Sequence, residues 1–224
     1  MTECIVVRHG QASFGSEDYD ILSERGWQQS RWLGDYWRET GIRFDRILCG
    51  SLRRHRQTTE GICEGLQVGE RGGYEIVSQL DEFDFFDVVR LYRAHNPGCA
   101  PGPNASRADF YRFLKQGMLA WAAGEIMPAE SWCSFERRIR EVLGLICDSA
   151  KGSRTLVVSS GGAIAMMIRQ ILGSPPESVA NLNMQIQNTA TSRFFFSAQG
   201  ISLHSFNHVP HLDRGERRGL ITYS

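Results

Sequence analysis

An arginine and a histidine stand side by side directly after the first apolar run of the chain, in the sequence Arg8-His9-Gly10-Gln11. Arginine carries a permanent charge and a planar fork of donors that matches phosphate oxygens. The imidazole of histidine can attack phosphorus near neutral pH. Glycine lets the backbone turn and approach a ligand without a Cβ in the way. Together these residue types predict phosphoryl chemistry at this point of the chain.

A second group of cations, Arg53-Arg54-His55-Arg56, follows another predicted strand and opens a predicted helix. Arg53 and Arg56 are interpreted as part of a solvated helix face. Arg54 is interpreted as a second phosphate contact, because it would lie at the same edge of the sheet as Arg8 and His9.

The elements that must position these side chains follow from the spacing of apolar residues. Short apolar runs predict buried strands, and longer amphipathic stretches predict helices. The strands are predicted at 4–7, 44–49, 74–77, 155–159, 191–197 and 201–206, and the helices at 24–40, 53–66, 105–122, 131–149 and 163–172. This alternation predicts an α/β fold, a three-layer α/β/α sandwich with a mostly parallel central sheet.

One region interrupts the alternation. Residues 81–86 are acidic and aromatic, and residues 96–103 are rich in proline and glycine, which is typical of a loop. Helical patterning resumes at residue 105. We therefore expect residues 1–224 to form a single domain in which a small insertion, at about 81–125, caps the site.

Composition limits the partners. Lysine plus arginine and aspartate plus glutamate both number 25, so no global field favours nucleic acid or an anionic membrane. No apolar run approaches the length of a membrane span, and Met1-Thr2-Glu3 leads straight into a strand without a signal-peptide pattern. A cytoplasmic protein is the expectation.

The six cysteines are widely spread and form no Cys-x-x-Cys motif, and most lie in predicted strands or helices, where buried reduced thiols are expected. His204, His208 and His211 are interpreted as supports of the fold rather than as metal ligands. Neither a metal nor a cofactor is expected.

Motifs along nearly the whole chain resemble the histidine phosphatase superfamily, the group that includes cofactor-dependent phosphoglycerate mutases and many small phosphatases. Arg8-His9-Gly10 matches the family's first motif. The other matching segments are Leu22-Ser23-Glu24-Arg25-Gly26, Arg54 in the Ser-x-Leu-x-Arg helix start, Leu80-Asp81-Glu82, Glu130-Ser131 with Arg138, and Asn188-Thr189.

The resemblance implies a role for each residue. His9 is the nucleophile that becomes phosphorylated, Arg8 and Arg54 clamp the phosphoryl group, and Glu82 protonates the leaving group. The amide region around Gly161 helps to hold the phosphoryl oxygens. Ser160 is expected to contact phosphate or substrate. Gln11 and Ser13 are expected either to line the site as polar contacts or to stabilise the loop.

Three positions depart from the family pattern. Gly50 stands in place of a serine, and Ala129 in place of a glycine. Ser160 stands where the family has its second phosphate-binding histidine, and a neutral hydroxyl there supplies no positive charge. Loss of one transition-state donor costs about 3 kcal/mol, so a slow enzyme is expected.

Other segments resemble a little-characterised bacterial subgroup of the family that carries Ser-Gly-Gly at this point. We therefore take Ser160 as native, with an introduced replacement as the alternative. If a donor is simply missing, Ser160→His is expected to raise turnover by roughly one to three orders of magnitude.

Hydrolysis of a phosphomonoester is the predicted reaction. A phosphoglycerate mutase is one alternative, but the segments 13–16 and 83–87 bring no cations to grip a second anionic group. A catalytically impaired phosphate-binding or scaffold protein is the other alternative. The expected partner is a small phosphorylated substrate or a phosphoprotein, and the oligomeric state is open. Phe83, Phe85, Phe86 and Tyr92 are either an apolar rim of the site or the core of the insertion.

Overall fold

A six-stranded sheet forms the centre of the molecule, with the strand order β3-β2-β4-β1-β5-β6. The computed structural model describes residues 1–13, 20–69, 73–102 and 105–223. Strands β1 to β4 are parallel, and β5 and β6 complete one side in antiparallel pairing. The strands are β1 (Thr2–Arg8), β2 (Arg46–Cys49), β3 (Glu75–Ile76), β4 (Arg154–Ser159), β5 (Thr191–Ser197) and β6 (Gly200–His208).

Helices cover both faces of this sheet. They are α1 (Glu24–Glu39), α2 (Arg53–Leu66), α3 (Phe85–His95), α4 (Arg107–Ala123), α5 (Trp132–Cys147), α6 (Gly161–Leu172) and α7 (Glu177–Asn183). Side chains alternate across a strand, so consecutive residues of β1 enter different layers. Ile5 belongs to the buried cluster that contains Leu33 of α1 and Ile62 of α2, whereas Val6 belongs to the cluster that contains Ile139 of α5. The predicted α/β class and layering are confirmed.

The register of the central strands brings the motifs together. Arg8 of β1 pairs with Ser159 of β4, so His9 and Ser160 leave two neighbouring parallel strands at the same edge of the sheet. Gly50 follows β2, the strand on the other side of β4, at that edge. This is the edge at which ligands bind in open α/β sheets.

Two helices were not predicted. α3 begins in the acidic and aromatic stretch and ends just before the segment interpreted as a loop, and Asp84 caps the helix by accepting a hydrogen bond from the amide of Asp87 (3.0 Å). Val88 is buried, and Phe85, Val89 and Tyr92 are partly buried against the same core, so α3 has a helical apolar pattern that the prediction missed. α7 spans only seven residues, which is too short for a helical spacing of apolar residues to be recognised in the sequence.

The expectation of buried thiols holds for Cys4 and Cys49 but is wrong for Cys133 and Cys147, which are exposed, as is Cys99 in the predicted loop. Placement in a helix does not by itself fix which face a residue occupies. All six cysteines are free. None of the helices in the described part of the chain is long and apolar enough to cross a membrane.

Candidate active site

The imidazole of His9 is buried at the end of β1 with its ring orientation fixed. Nδ1 lies 2.7 Å from the carbonyl oxygen of Gly10, which can only accept, so Nδ1 carries the proton and Nε2 carries the lone pair. Asn188 Nδ2 donates to the His9 carbonyl at 3.0 Å. Burial, followed by the charges of Arg54 and Arg8, holds the pKa of His9 well below its usual value. The imidazole is therefore neutral and has a free electron pair.

Gly10 also allows a close contact within the protein backbone. A Cβ there would lie 2.5 Å from the carbonyl oxygen of Gly26, and a Cβ on Gly26 would lie 2.2 Å from the carbonyl oxygen of Gln11. The two glycines thus allow the loop after β1 to pack directly against the start of α1.

Arg8 and Arg54 are both buried, and their guanidinium groups are held by oxygen acceptors. Arg8 Nη1 donates to the carbonyl of Ile186 and, at 2.6 Å, to the carbonyl of Tyr223. Arg54 Nη1 forms an ion pair with Asp20 Oδ1 at 2.8 Å. The structure thus fixes both cations beside His9 before any phosphate binds.

The carboxyl of Glu82 lies at the same cavity. Glu82 Oε2 accepts from the amide of Gly162 at 3.0 Å, and Oε1 accepts from the amide of Phe83 at 3.2 Å. Burial raises the pKa of Glu82, although the amide of Gly162 and the charges of Arg54 and Arg8 oppose that rise. Gly162 has to lack a side chain, because a Cβ would lie 2.3 Å from Glu82 Oε1.

Arg138 of α5 fixes the segment that carries Glu82. It donates to the carbonyl of Asp81 at 2.6 Å and to that of Gln79 at 2.8 Å, and it pairs with Glu130 at 2.6 Å. The motif Glu130-Ser131 with Arg138 therefore serves as a support for the Glu82 segment. Ser131 also caps α5.

Ser160 and Gly161 directly follow β4, at the edge of the sheet where His9 lies. Both are buried, and neither is among the described residues that line the cavity. Ser160 Oγ lies 2.6 Å from Nε2 of His55, a buried residue of α2 that sequence reasoning did not single out. The hydroxyl that stands in place of the family's histidine is therefore in contact with an imidazole from another element. The signal available in the sequence was the position of His55 directly after Arg54.

Gln11 and Ser13 are also absent from the described lining of the cavity. The side-chain oxygen of Gln11 accepts from the hydroxyl of Ser23 at 3.0 Å, and the amide of Ser13 donates to the carbonyl of Ile21 at 2.9 Å. Both residues hold the loop that follows β1. Residues 14–16 of the loop considered in the mutase alternative lie outside the described part of the chain.

The cavity has a volume of about 300 Å³ and a polar floor with largely apolar walls. Arg8, His9, Arg54 and Glu82 line it together. The other described lining residues are Phe83, Phe85, Phe110, Tyr111, Leu114, Asn183, Met184 and Tyr223.

The aromatic residues considered for an apolar rim divide between two environments. Phe83 and Phe85 line the cavity. Phe86 is 63% exposed, and Tyr92 packs on Phe113 with ring centroids 5.0 Å apart. The rim interpretation therefore applies to two of the four residues.

The three late histidines are widely different in environment. His211 is buried and its Nε2 lies 2.8 Å from the hydroxyl of Thr189, which is the fold-supporting hydrogen bond expected of it. His204 and His208 are exposed on β6.

Comparison with known proteins agrees with this geometry. The model of the histidine phosphatase superfamily (branch 1) matches residues 4–209. The chain belongs to that superfamily of phosphatases and mutases, and it is a phosphoryl-transfer enzyme.

Relatives and solved structures of both kinds are found. A curated relative from Salmonella paratyphi A, named "Probable phosphoglycerate mutase GpmB", is 25% identical and is matched over 95% of this chain and 96% of its own. A phosphoserine phosphatase from Entamoeba histolytica, solved with 3-phosphoglyceric acid, has a TM-score of 0.64 at 22% identity, covering 95% of this chain and all of its own. A phosphoglycerate mutase from Bacillus anthracis has a TM-score of 0.65 at 15% identity, covering 94% of each chain. The two structures share the fold with this chain.

Proposed function

We propose that this protein is a phosphatase that hydrolyses a phosphomonoester through a phosphohistidine at His9. The observation that carries the proposal is the hydrogen bond from His9 Nδ1 to the Gly10 carbonyl, which leaves Nε2 unprotonated in a cavity that also contains Arg8, Arg54 and Glu82. A nucleophile, two cations and a proton donor are the parts that this reaction needs.

The reaction proceeds in two steps. His9 Nε2 forms a bond to phosphorus while the ester P–O bond breaks, and the proton of Glu82 moves to the departing oxygen. Water then attacks the phosphohistidine, gives a proton to the Glu82 carboxylate, and the P–N bond breaks to release phosphate. Arg8 and Arg54 stabilise the equatorial oxygens in both steps.

The cavity favours hydrolysis over mutase activity. Transfer between two positions of phosphoglycerate requires groups that hold its carboxylate or a second phosphate. Arg8 and Arg54 are the only lysine or arginine side chains in the described lining, and both are assigned to the transferred phosphoryl group. These observations support transfer of the phosphoryl group to water rather than to a second position of the substrate.

The walls point to the class of substrate. Phe85 of α3 and Phe110 and Tyr111 of α4 lie at the cavity, together with Leu114 and Met184. A leaving group with an apolar or aromatic body would bury surface here, whereas a small dianionic acid would not. We propose that the segment at about 81–125 acts as a cap that selects such a small molecule in the cytoplasm.

The test compares turnover of an aryl phosphate by the wild type, His9→Ala and the control His95→Ala, which alters an exposed histidine of α3. His9→Ala should lose roughly three orders of magnitude or more in kcat, and His95→Ala should match the wild type. Rapid quenching of the wild type should trap an acid-labile phosphoprotein that is absent from His9→Ala.

Two outcomes would contradict the proposal. Equal turnover by His9→Ala would exclude His9 as the nucleophile. Phosphate binding without turnover over a panel of sugar, nucleoside and aryl phosphates would favour the scaffold alternative, and transfer between the positions of phosphoglycerate without phosphate release would favour the mutase.

A further inference from the structure

A buried chain of three polar side chains ends beside His9. His55 Nε2 lies 2.6 Å from Ser160 Oγ, and His55 Nδ1 lies 3.6 Å from Asp81 Oδ1. His55 and Ser160 have no solvent-exposed surface. Burying a titratable ring between a carboxylate and a hydroxyl costs free energy, so the arrangement calls for an explanation.

The chain is directed towards the phosphoryl site. His9 and Ser160 are the residues that follow a pair in the β1–β4 register, and neighbouring strands lie about 4.8 Å apart. The rings of His9 and His55 have centroids 5.8 Å apart. A hydroxyl at Ser160 is thus placed next to the nucleophile, with an imidazole directly behind it.

Two departures from the family pattern have one physical cause in His55. Ser160 stands where a histidine is expected, and the ring of His55 already contacts that position. Gly50 stands where a serine is expected, and a Cβ at Gly50 would lie 2.1 Å from His55 Nδ1. The site has therefore been rebuilt around an imidazole carried by α2 instead of one that follows β4.

The charges around His55 favour a neutral ring in the empty site. Burial lowers its pKa, Arg54 on the same helix lowers it further, and Asp81 and Asp20 oppose the change. His9, on the facing strand, is itself neutral because its own pKa is lowered. A phosphoryl dianion bound beside Ser160 would add the negative charge that favours a protonated ring.

We propose that Asp81, His55 and Ser160 form a proton relay that gives the phosphoryl group a charge-assisted hydrogen bond. In the empty site the Ser160 hydroxyl donates to His55 Nε2. When a phosphoryl dianion binds, Nε2 takes up one proton from solvent and donates to Ser160 Oγ, and the hydroxyl turns to donate to a phosphoryl oxygen. His55 acts through Ser160 and is a positioning residue.

This inference rests on the proposed function, and it reverses the effect that the sequence led us to expect for Ser160→His. Ser160→His alone should lower kcat/KM, because an imidazole at position 160 would meet the ring of His55. The double variant His55→Ala/Ser160→His makes room for the new ring and should recover part of the activity lost in either single variant. Gly50→Ala should likewise lower the melting temperature less in a His55→Ala background than in the wild type.

The direct test measures binding of inorganic phosphate by calorimetry at about pH 7, in two buffers that differ in ionisation enthalpy. The wild type, His55→Gln and the control His204→Gln, which alters an exposed histidine of β6, are compared. Glutamine keeps a polar amide near Nε2 but cannot take up the proton. Affinity should fall about 10- to 100-fold in His55→Gln, and the proton uptake seen in the wild type and the control should be lost.

Nitrogen NMR of histidine-labelled wild type supplies a second readout that does not depend on a variant folding. The His55 ring should change from the neutral to the doubly protonated pattern as phosphate saturates the site. A ring that stays neutral, or proton uptake and affinity unchanged in His55→Gln, would overturn the relay. A His55→Gln variant that loses stability but keeps proton uptake would identify a purely structural histidine.

These outcomes are separate from those of the proposed function. Phosphate binding with a neutral His55 rejects the relay alone. Unchanged turnover in His9→Ala rejects the phosphohistidine reaction alone.

Discussion

The environment of Glu82 suits the proton donation that we propose for it. Burial raises its pKa, while the amide of Gly162 and two arginines prevent a larger rise. A carboxyl whose pKa is raised stays protonated to a higher pH, which suits a general acid near neutral pH.

If Glu82 donates this proton, the loss of kcat on removing its carboxyl should depend on the leaving group of the substrate. In Glu82→Gln, kcat for an alkyl phosphate should fall by about two to four orders of magnitude, because the departing alkoxide then receives no proton. For an aryl phosphate with a good leaving group the loss should be much smaller. The control Glu125→Gln alters an exposed carboxylate beyond α4 and should change neither rate.

A raised pKa of Glu82 also predicts the direction in which activity changes with pH. With the alkyl phosphate, wild-type kcat/KM should decline as pH rises through the raised pKa of Glu82, and this decline should be absent from Glu82→Gln. Equal losses for alkyl and aryl substrates would show that Glu82 is not the proton donor.

At the scale of elements, α5 positions the segment that carries the proposed proton donor, Glu82. Arg138 reaches from this helix to the carbonyls of Gln79 and Asp81, and Ser159 of β4 donates to the carbonyl of Leu80 at 2.6 Å. The segment before Glu82 is therefore tied both to a helix and to a strand end. Positioning of this kind affects rate more than binding.

Arg138→Lys tests this positioning. Lysine keeps the charge but lacks the planar fork that reaches two carbonyls and the Glu130 carboxylate at once, so kcat should fall about tenfold or more with KM little changed. Arg140→Lys is the matched control, since Arg140 is 66% exposed on the same helix. A change in KM alone, or equal effects in both variants, would contradict a positioning role.

At the scale of the whole molecule, buried neutral histidines link folding to pH. Burial, with Arg217 and Arg214, lowers the pKa of His211 to about 3, and the pKa values of His9 and His55 are lowered as well. At a pH between the lowered pKa of each histidine and about 6.5, the unfolded chain binds protons that the folded chain does not. The neutral histidines therefore make their full contribution to the free energy of unfolding above about pH 6.5, and this contribution is lost as the pH falls.

His211→Gln measures one part of this linkage. Glutamine can still bond the hydroxyl of Thr189, so the fold should persist. The slope of unfolding free energy against pH below about pH 6 should decrease by about 1.4 kcal/mol per pH unit. Urea unfolding at several pH values gives the slope, and His95→Gln, an exposed position, should leave it unchanged. An unchanged slope in His211→Gln would show that His211 is protonated in the folded protein.

The sequence by itself determined the fold class and the edge at which the chemistry lies. Apolar runs of strand length separated by amphipathic helices define an α/β sandwich, because the periodicity of buried positions is a local property of the chain. Arg8, His9 and Arg54 were placed at one sheet edge for the same reason, since Arg8 and His9 follow the first apolar run and Arg54 begins the helix after the next strand. α3 was not predicted, although Val88 is buried and Phe85, Val89 and Tyr92 pack on the core, because its eleven residues lie between an acidic stretch and a proline- and glycine-rich loop.

Only the tertiary structure decided which side chains meet across elements. The contact of His55 with Ser160 joins residues 105 positions apart, and no local pattern encodes it. Two other hydrogen bonds also join residues far apart in the chain. Arg138 donates to the carbonyl of Asp81, next to Glu82, and Arg8 donates to the carbonyl of Tyr223. A missing histidine in the sequence implied a weakened site, whereas packing of α2 against the end of β4 supplies an imidazole from another element.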